Sequence, residues 1–273
     1  MPELPFRERL ASAMESADSL ICVGLDPQPN RTAADEILSF NTRVIEATAD
    51  LVCAYKPQSA FYEAAGFAGW QALKDTIETV RRVAPHAFVI LDAKRNDIGN
   101  TAEAYAQAAF DWFGVDALTI NPYLGGDAVA PFLQRPERGA FALCRTSNPG
   151  AGELQSLQVG EGEPLYLSVA SLARDWAAAN HDNLGLVVGA TWPDELAQVR
   201  ARCPDLPILL PGVGAQGGDL EASVAAGVDA DGQGLLVSAS RSVIYAGDEE
   251  DIREAAQDLR AAANAAKPAR LSS

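Results

Sequence analysis

The chain is punctuated by short runs that are almost continuously apolar rather than alternating. They are SLICVGL (19–25), LVCAYK (51–56), AFVILD (87–92), DALTIN (116–121), AFALC (140–144), LGLVVGA (184–190), LPILLP (206–211) and GQGLLVSA (232–239). Such runs are expected of parallel strands covered on both faces. Between them the apolar spacing lengthens to that of a helix face: Ile37, Leu38, Val44 and Ile45; Trp70, Leu73, Ile77 and Val80; Leu165, Val169, Leu172 and Trp176. Eight strand–helix units ending near Leu259 predict a single (β/α)8 barrel over residues 1–260, with a flexible C-terminal tail at 261–273. A doubly wound open sheet is the second arrangement compatible with the pattern.

Polar or glycine-rich chemistry follows each predicted strand. Asp26-Pro27 ends the first, Lys56-Pro57 the second, Asp92 through Asp97 the third and Asn121-Pro122 the fourth. Thr146 through Gly150 follow the fifth, Gly189-Ala190-Thr191 the sixth, PGVGAQGGD (211–219) the seventh and SASRS (238–242) the eighth. In a barrel these strand ends form the mouth where active sites lie. The glycine-rich stretch between Arg145 and Glu163 is long enough for a mobile lid.

Composition narrows the function. A net charge of −16 and a pI near 4.5 argue against a nucleic-acid surface, so an anionic ligand must be held by local cations or helix N-termini. No apolar stretch approaches the roughly 20 residues that span a bilayer, and MPELPFRERL lacks the apolar core of a signal peptide. Cys22, Cys53, Cys144 and Cys203 show no CxxC spacing and read as buried free thiols; the expected location is the cytoplasm. His86 and His181 lie away from the strand tips and receive no role.

Gly212-Val213-Gly214-Ala215-Gln216-Gly217 matches GxGxxG, but a dinucleotide fingerprint belongs to the first unit of a βαβ fold and here one strand remains downstream. A turn needing positive φ is one alternative. A phosphate cradle suits the loops after strands seven and eight better, with Arg241 as the bidentate cation.

The tip of the third strand carries the densest charge. Alternation along a strand turns Asp92 and Lys94 the same way, Asp97 follows, and Lys56 sits at the neighbouring tip. An ion-pair cluster that merely closes the barrel is the bland reading, and desolvating four charges rarely improves stability. Carboxylates hold a neighbouring lysine protonated, each contact at about 4 Å contributing roughly 4 kcal/mol at an effective dielectric near 20. Such a lysine protonates a carbanion, and the adjacent carboxylate repels a substrate carboxylate. Together they suggest loss of CO₂ followed by protonation at the same carbon.

Asp92-Ala93-Lys94-Arg95-Asn96-Asp97-Ile98-Gly99-Asn100-Thr101 resembles the D-x-K-x-x-D-I-x-x-T signature of the orotidine 5′-phosphate decarboxylases, and YKPQSAFYE (55–63) with the long loop after the fifth strand resembles their longer bacterial subgroup. GLDP (24–27), YKPQSAFYE (55–63), TSNPG (146–150), PGVGAQGGD (211–219) and SRSVIYA (240–246) extend the resemblance along the chain. It implies a homodimer acting on orotidine 5′-monophosphate in pyrimidine synthesis, without metal or organic cofactor. Lys94 would protonate C6, Asp92 would sit against the substrate carboxylate, and Asp97, Ile98 and Thr101 would reach the partner's site. Asp26 and Lys56 would hold ribose hydroxyls, Ser147 the pyrimidine edge, and Pro211 would line the substrate. Gln216, Gly217, Ser240 and Arg241 would grip the phosphate. Asn96 and Ser240 stand where the family commonly has glycine. Mg²⁺-dependent sugar-phosphate aldolases and decarboxylases share the D-x-K-x-x-D strand, and an inactive phosphate-sensing barrel is a second alternative.

Overall fold

Each of the eight apolar runs contains a strand, and the eight pair in parallel around a closed ring. The computed structural model describes residues 4–213 and 219–268. The ring strands are β1 (Ile21–Leu25), β2 (Ala54–Pro57), β3 (Phe88–Arg95), β4 (Ala117–Ile120) and β5 (Gly139–Arg145), then β8 (Leu184–Val188), β9 (Ile208–Pro211) and β10 (Leu235–Ala239). A two-stranded antiparallel hairpin, β6 (Gln158–Val159) and β7 (Glu163–Pro164), lies in the segment after β5. The ring order β1-β10-β9-β8-β5-β4-β3-β2 closes where β1 pairs with β10, Ile21 opposite Val237. Closure leaves no edge of the ring unpaired, so the open-sheet alternative falls.

Helix α1 (Phe6–Ala17) precedes β1 and α2 (Ile37–Thr48) follows it. Next come α3 (Ser59–Ala64) and α4 (Gly66–Val83) after β2, α5 (Gly99–Gln107) after β3, α6 (Gly126–Val129) after β4, and α7 (Gly152–Gln155) and α8 (Leu165–Ala178) after β5. The last are α9 (Pro193–Arg202), α10 (Leu220–Gly227), α11 (Arg241–Ile244) and α12 (Glu249–Ala265). None among the described residues is long and apolar enough to cross a membrane. The four cysteines are buried and free.

The N-terminal end of the ring is stoppered by α1, an element the strand pattern did not announce. Phe6, Leu10, Ala13, Met14 and Ala17 are buried at helical spacing, and the Phe6 ring meets Phe88 and Phe141 edge-on, with centroids 5.5 Å and 6.0 Å away. Fully burying such a side chain contributes about 1.5–3 kcal/mol. Beside it Asp116, fully buried, accepts from Arg81 Nη2 at 2.7 Å, Arg138 Nη1 at 3.0 Å, the Val89 amide at 2.7 Å and Arg9.

One helix face and one helix end differ from the expectation. In α8 the buried face is Tyr166, Leu167, Ala170, Ala173 and Ala177, while Leu172 is 47% exposed and Leu165, Val169 and Trp176 are half-buried. The two stripes are one position apart, and the alanine stripe lets the helix pack closely on β5 and β8. At the C-terminus α12 continues to Ala265 with Ala263 buried, because its apolar face (Ile252, Ala256, Ala263) keeps its period past residue 260.

Candidate active site

The charged cluster begins with two neighbouring strand tips. β2 delivers Lys56, β3 delivers Asp92, and Gln58 bridges to Asp92 just beyond the regular pairing. Lys56 Nζ lies 2.9 Å from Asp92 Oδ2, and both residues are buried. Lys94 Nζ lies 2.7 Å from the other oxygen, Asp92 Oδ1, with its side chain 45% exposed toward the mouth. Burial opposes charge on Asp92, but Lys56 and Lys94 outweigh it and hold the carboxyl well below the usual carboxylate range. Burial likewise opposes charge on Lys56, and Asp92 with Asp26 overcome it, raising that ammonium above the ordinary lysine value.

Asp92 and Lys94 do meet, but not by simple strand alternation. The pairing of β3 with β4 shifts register between Leu91 and Arg95, and Lys94 has φ 47°. A left-handed conformation is uncommon for a residue with a Cβ and costs on the order of 1–3 kcal/mol. It therefore needs support, which Thr119 at the tip of β4 supplies. Its Oγ1 accepts from the Ala93 amide at 3.0 Å and the Lys94 amide at 2.9 Å, and donates to Asp92 Oδ1 at 2.8 Å. The strained residue is thus Lys94, while Asn96, which stands where the family commonly has glycine, is not among the positive-φ residues.

In front of the cluster the mouth forms two cavities that share Lys56 and Pro211. The inner one, about 390 Å³, has Asp92, Lys94, Thr119 and Ser147 on one side and Leu143 and Val187 among its apolar floor. Gly189 lets Ser147 approach, since a Cβ there would come within 2.8 Å of the Ser147 Cβ. The outer cavity, about 270 Å³, is lined by Asp26, Ser240, Arg241 and Gly212. Asp26 Oδ1 and Ser240 Oγ are buried there without a hydrogen-bond partner among the described residues. Ser240 sits so close to β1 that a Cβ on Gly24 would lie 2.9 Å from its own. An uncharged hydroxyl and a carboxylate awaiting partners beside an arginine suit a polyol joined to an anion.

The anticipated site residues are therefore brought together in part. Lys56, Asp92, Lys94, Asp26, Ser147, Pro211, Ser240 and Arg241 all line the mouth. Gln216 and Gly217 lie outside the described residues. Asp97, Ile98 and Thr101 sit at the start of α5 and line neither cavity. Asp97 Oδ1 accepts from the Ile98 amide at 2.9 Å, Ile98 is 59% exposed, and Thr101 is exposed. Within one chain, three of the four charges form the cluster.

Two further residues line the inner cavity without a local mark in the sequence. Thr119 was hidden inside an apolar run. Gln155, on α7, lines the inner cavity and clips the start of the TSNPG loop. Its Oε1 accepts from the Thr146 amide at 2.9 Å, and its Nε2 donates to Thr146 Oγ1 at 2.8 Å.

Comparison with known proteins gives the family. The orotidine 5′-phosphate decarboxylase / HUMPS family matches residues 19–256. The chain belongs to that family. Orotidine 5′-phosphate decarboxylase from Roseiflexus sp. (strain RS-1) is 48% identical, covering 98% of this chain and 100% of its own. The enzyme of that name from Thermomicrobium roseum is 54% identical over 89% of this chain and 88% of its own. Among solved structures, OMP decarboxylase from Leishmania donovani superposes with a TM-score of 0.87 at 42% identity, covering 97% of this chain and 99% of that one. The D-x-K-x-x-D segment, Asp92 to Asp97, begins at the bulged tip of β3, and the two cavities lie in front of it.

Proposed function

We propose that this chain is an orotidine 5′-phosphate decarboxylase that converts orotidine 5′-monophosphate to uridine 5′-monophosphate and CO₂, in pyrimidine synthesis in the cytoplasm. The observation that carries the reading is the Lys94 ammonium, 2.7 Å from Asp92 at the wall of the inner cavity, in a chain about half identical to relatives of that name. The pyrimidine occupies the inner cavity with its edge at Ser147. The ribose hydroxyls meet Asp26 and Lys56, and the phosphate meets Arg241 and Ser240 in the outer cavity together with Gln216 and Gly217. This places the substrate carboxylate beside Asp92, which stays charged because two lysines hold it so. The C6–carboxyl bond breaks, its electron pair remains on C6, and Lys94 Nζ delivers a proton to that carbon. Water then reprotonates the lysine. Phosphate contacts remote from C6 supply binding energy that holds the carboxylate against Asp92.

The fourth charge comes from a second copy. The partner subunit's Asp97, Ile98 and Thr101 complete each site, so the working unit is a homodimer. Support lies in the exposed apolar side chains on three neighbouring units of the barrel: Phe67 after β2, Ile98 and Trp112 after β3, Tyr123 and Leu124 after β4. A Mg²⁺-dependent reaction fits less well, since Mg²⁺ requires oxygen ligands and both Asp92 oxygens already face ammonium groups.

The test follows loss of orotidine 5′-monophosphate absorbance, with and without EDTA, for wild type, Lys94→Ala and Asp97→Ala. EDTA-insensitive turnover is expected for wild type and almost none for either variant alone. Mixing the two variants restores activity to roughly a quarter of the wild-type sites, because half of randomly assembled two-fold dimers carry one intact site. No turnover by folded wild type overturns the reaction, and no recovery on mixing overturns the shared site.

A further inference from the structure

The structure assigns Thr119 as the positioning residue that sets both the Asp92 carboxylate and the Lys94 backbone for proton transfer, an assignment that rests on the decarboxylase reading. Thr119 is 1% exposed and comes from β4, the strand next to the one that carries the charges. Its hydroxyl has one proton and two lone pairs, and all three are used. The proton goes to Asp92 Oδ1 at 2.8 Å; the lone pairs receive the Ala93 amide at 3.0 Å and the Lys94 amide at 2.9 Å.

The oxygen it binds decides what this achieves. Asp92 Oδ2 faces Lys56, whereas Oδ1 faces Lys94 at 2.7 Å. Thr119 therefore touches the carboxylate oxygen that fixes where the Lys94 ammonium stands, and it also holds the peptide from which the Lys94 side chain departs. The two amides it accepts belong to the residues where β3 shifts register against β4 and where Lys94 turns to φ 47°. Without the hydroxyl those amides lose their acceptor inside a part-buried tip, and the backbone is free to relax toward ordinary strand geometry. That relaxation would carry the ammonium away from the inner cavity. Lysine is a long, mobile side chain, so anchoring at both its root and its tip is what gives it one position.

Three proteins decide the matter: wild type, Thr119→Val, which keeps the shape without the hydroxyl, and Thr119→Ser, which keeps the hydroxyl. Displacements near 1 Å in an active site cost on the order of 10²-fold, and a loss of that size is expected in kcat for Thr119→Val. The affinity for uridine 5′-monophosphate, which lacks the carboxylate, should change by less than about threefold, because the phosphate and ribose contacts remain. Thr119→Ser should recover kcat to within about tenfold of wild type, since one hydroxyl restores the same three bonds. Hydrogen exchange of the 91–97 segment should be faster in Thr119→Val than in wild type or Thr119→Ser.

Unchanged kcat in Thr119→Val overturns the assignment. So does a Thr119→Ser variant as impaired as Thr119→Val, or nucleotide affinity lost in parallel with kcat, which would mark a merely structural role. Absence of turnover in wild type would overturn the decarboxylase reading instead, and the exchange of the 91–97 segment would still decide whether Thr119 holds this backbone.

Discussion

At the C-terminal end of the barrel one aspartate, Asp92, meets two lysines; at the N-terminal end one aspartate, Asp116, meets three arginines. Both carboxylates are buried, and both are anchored to the strand beside them by a further bond, from the Thr119 hydroxyl in one case and the Val89 amide in the other. The difference lies in the cations and in what surrounds them. Arginine presents a rigid fork that keeps its proton at any ordinary pH, so Arg9, Arg81 and Arg138 make a permanent clamp on Asp116. Lysine is a compact ammonium that can part with a proton, and Lys94 stands half-open to a cavity of about 390 Å³. Asp116 is closed off, while Asp92 faces space for an incoming carboxylate. Residues of similar formal charge thus yield a closed structural tie at one end and, at the other, a cluster open to a cavity, where the proposed reaction takes place.

Exchanging the cation types breaks the comparison most directly. Lys94→Arg keeps a positive charge beside Asp92 but replaces the acid with one that scarcely releases a proton. A fall in kcat on the order of 10³-fold is expected, in the range of general-acid catalysis, with the thermal midpoint close to wild type. Steady-state kinetics and a melting curve measure both. If Lys94→Arg keeps its kcat, charge alone is what that position supplies.

At the other end Asp116→Asn should act on stability rather than on rate. Removing one member of a buried charged network costs about 3–5 kcal/mol. A lower urea midpoint is expected together with an unaltered kcat for the protein that remains folded; a matching loss of kcat would mean that the two ends are coupled. The mildest change is Arg81→Lys. The ammonium can still reach Asp116 Oδ2 but gives up the guanidinium bond to the Gly114 carbonyl, now 2.9 Å, at a cost of about 0.5–1.5 kcal/mol. A larger cost would show that the fork geometry of Arg81 is needed.

These two clusters also differ in how far they could be read from the chain. The upper one is nearly contiguous: Asp92, Lys94 and Asp97 lie within six residues, and Lys56 ends the preceding apolar run, so their meeting follows once the runs are strands. The lower one joins Arg9, Arg81 and Arg138 to Asp116 across separations as large as 107 residues, and no local pattern marks it. Thr119 behaves in the same way. Its 27-residue separation from Asp92 and its place inside DALTIN make it look like one more strand residue.

What the sequence determined by itself was the set of eight strands, the end at which the chemistry collects, and the identity of the charged groups. Burial on both faces imposes continuous apolar character, and a strand tip at a cavity is where charge can reach a ligand; both leave local traces. Only the tertiary structure decided that the sheet closes and that α1 stoppers it. It also decided that α8 turns its alanines inward and that Lys94 reaches Asp92 through a left-handed residue held by Thr119. Those outcomes depend on which elements become neighbours and how closely they approach, and that is set by packing the whole ring at once.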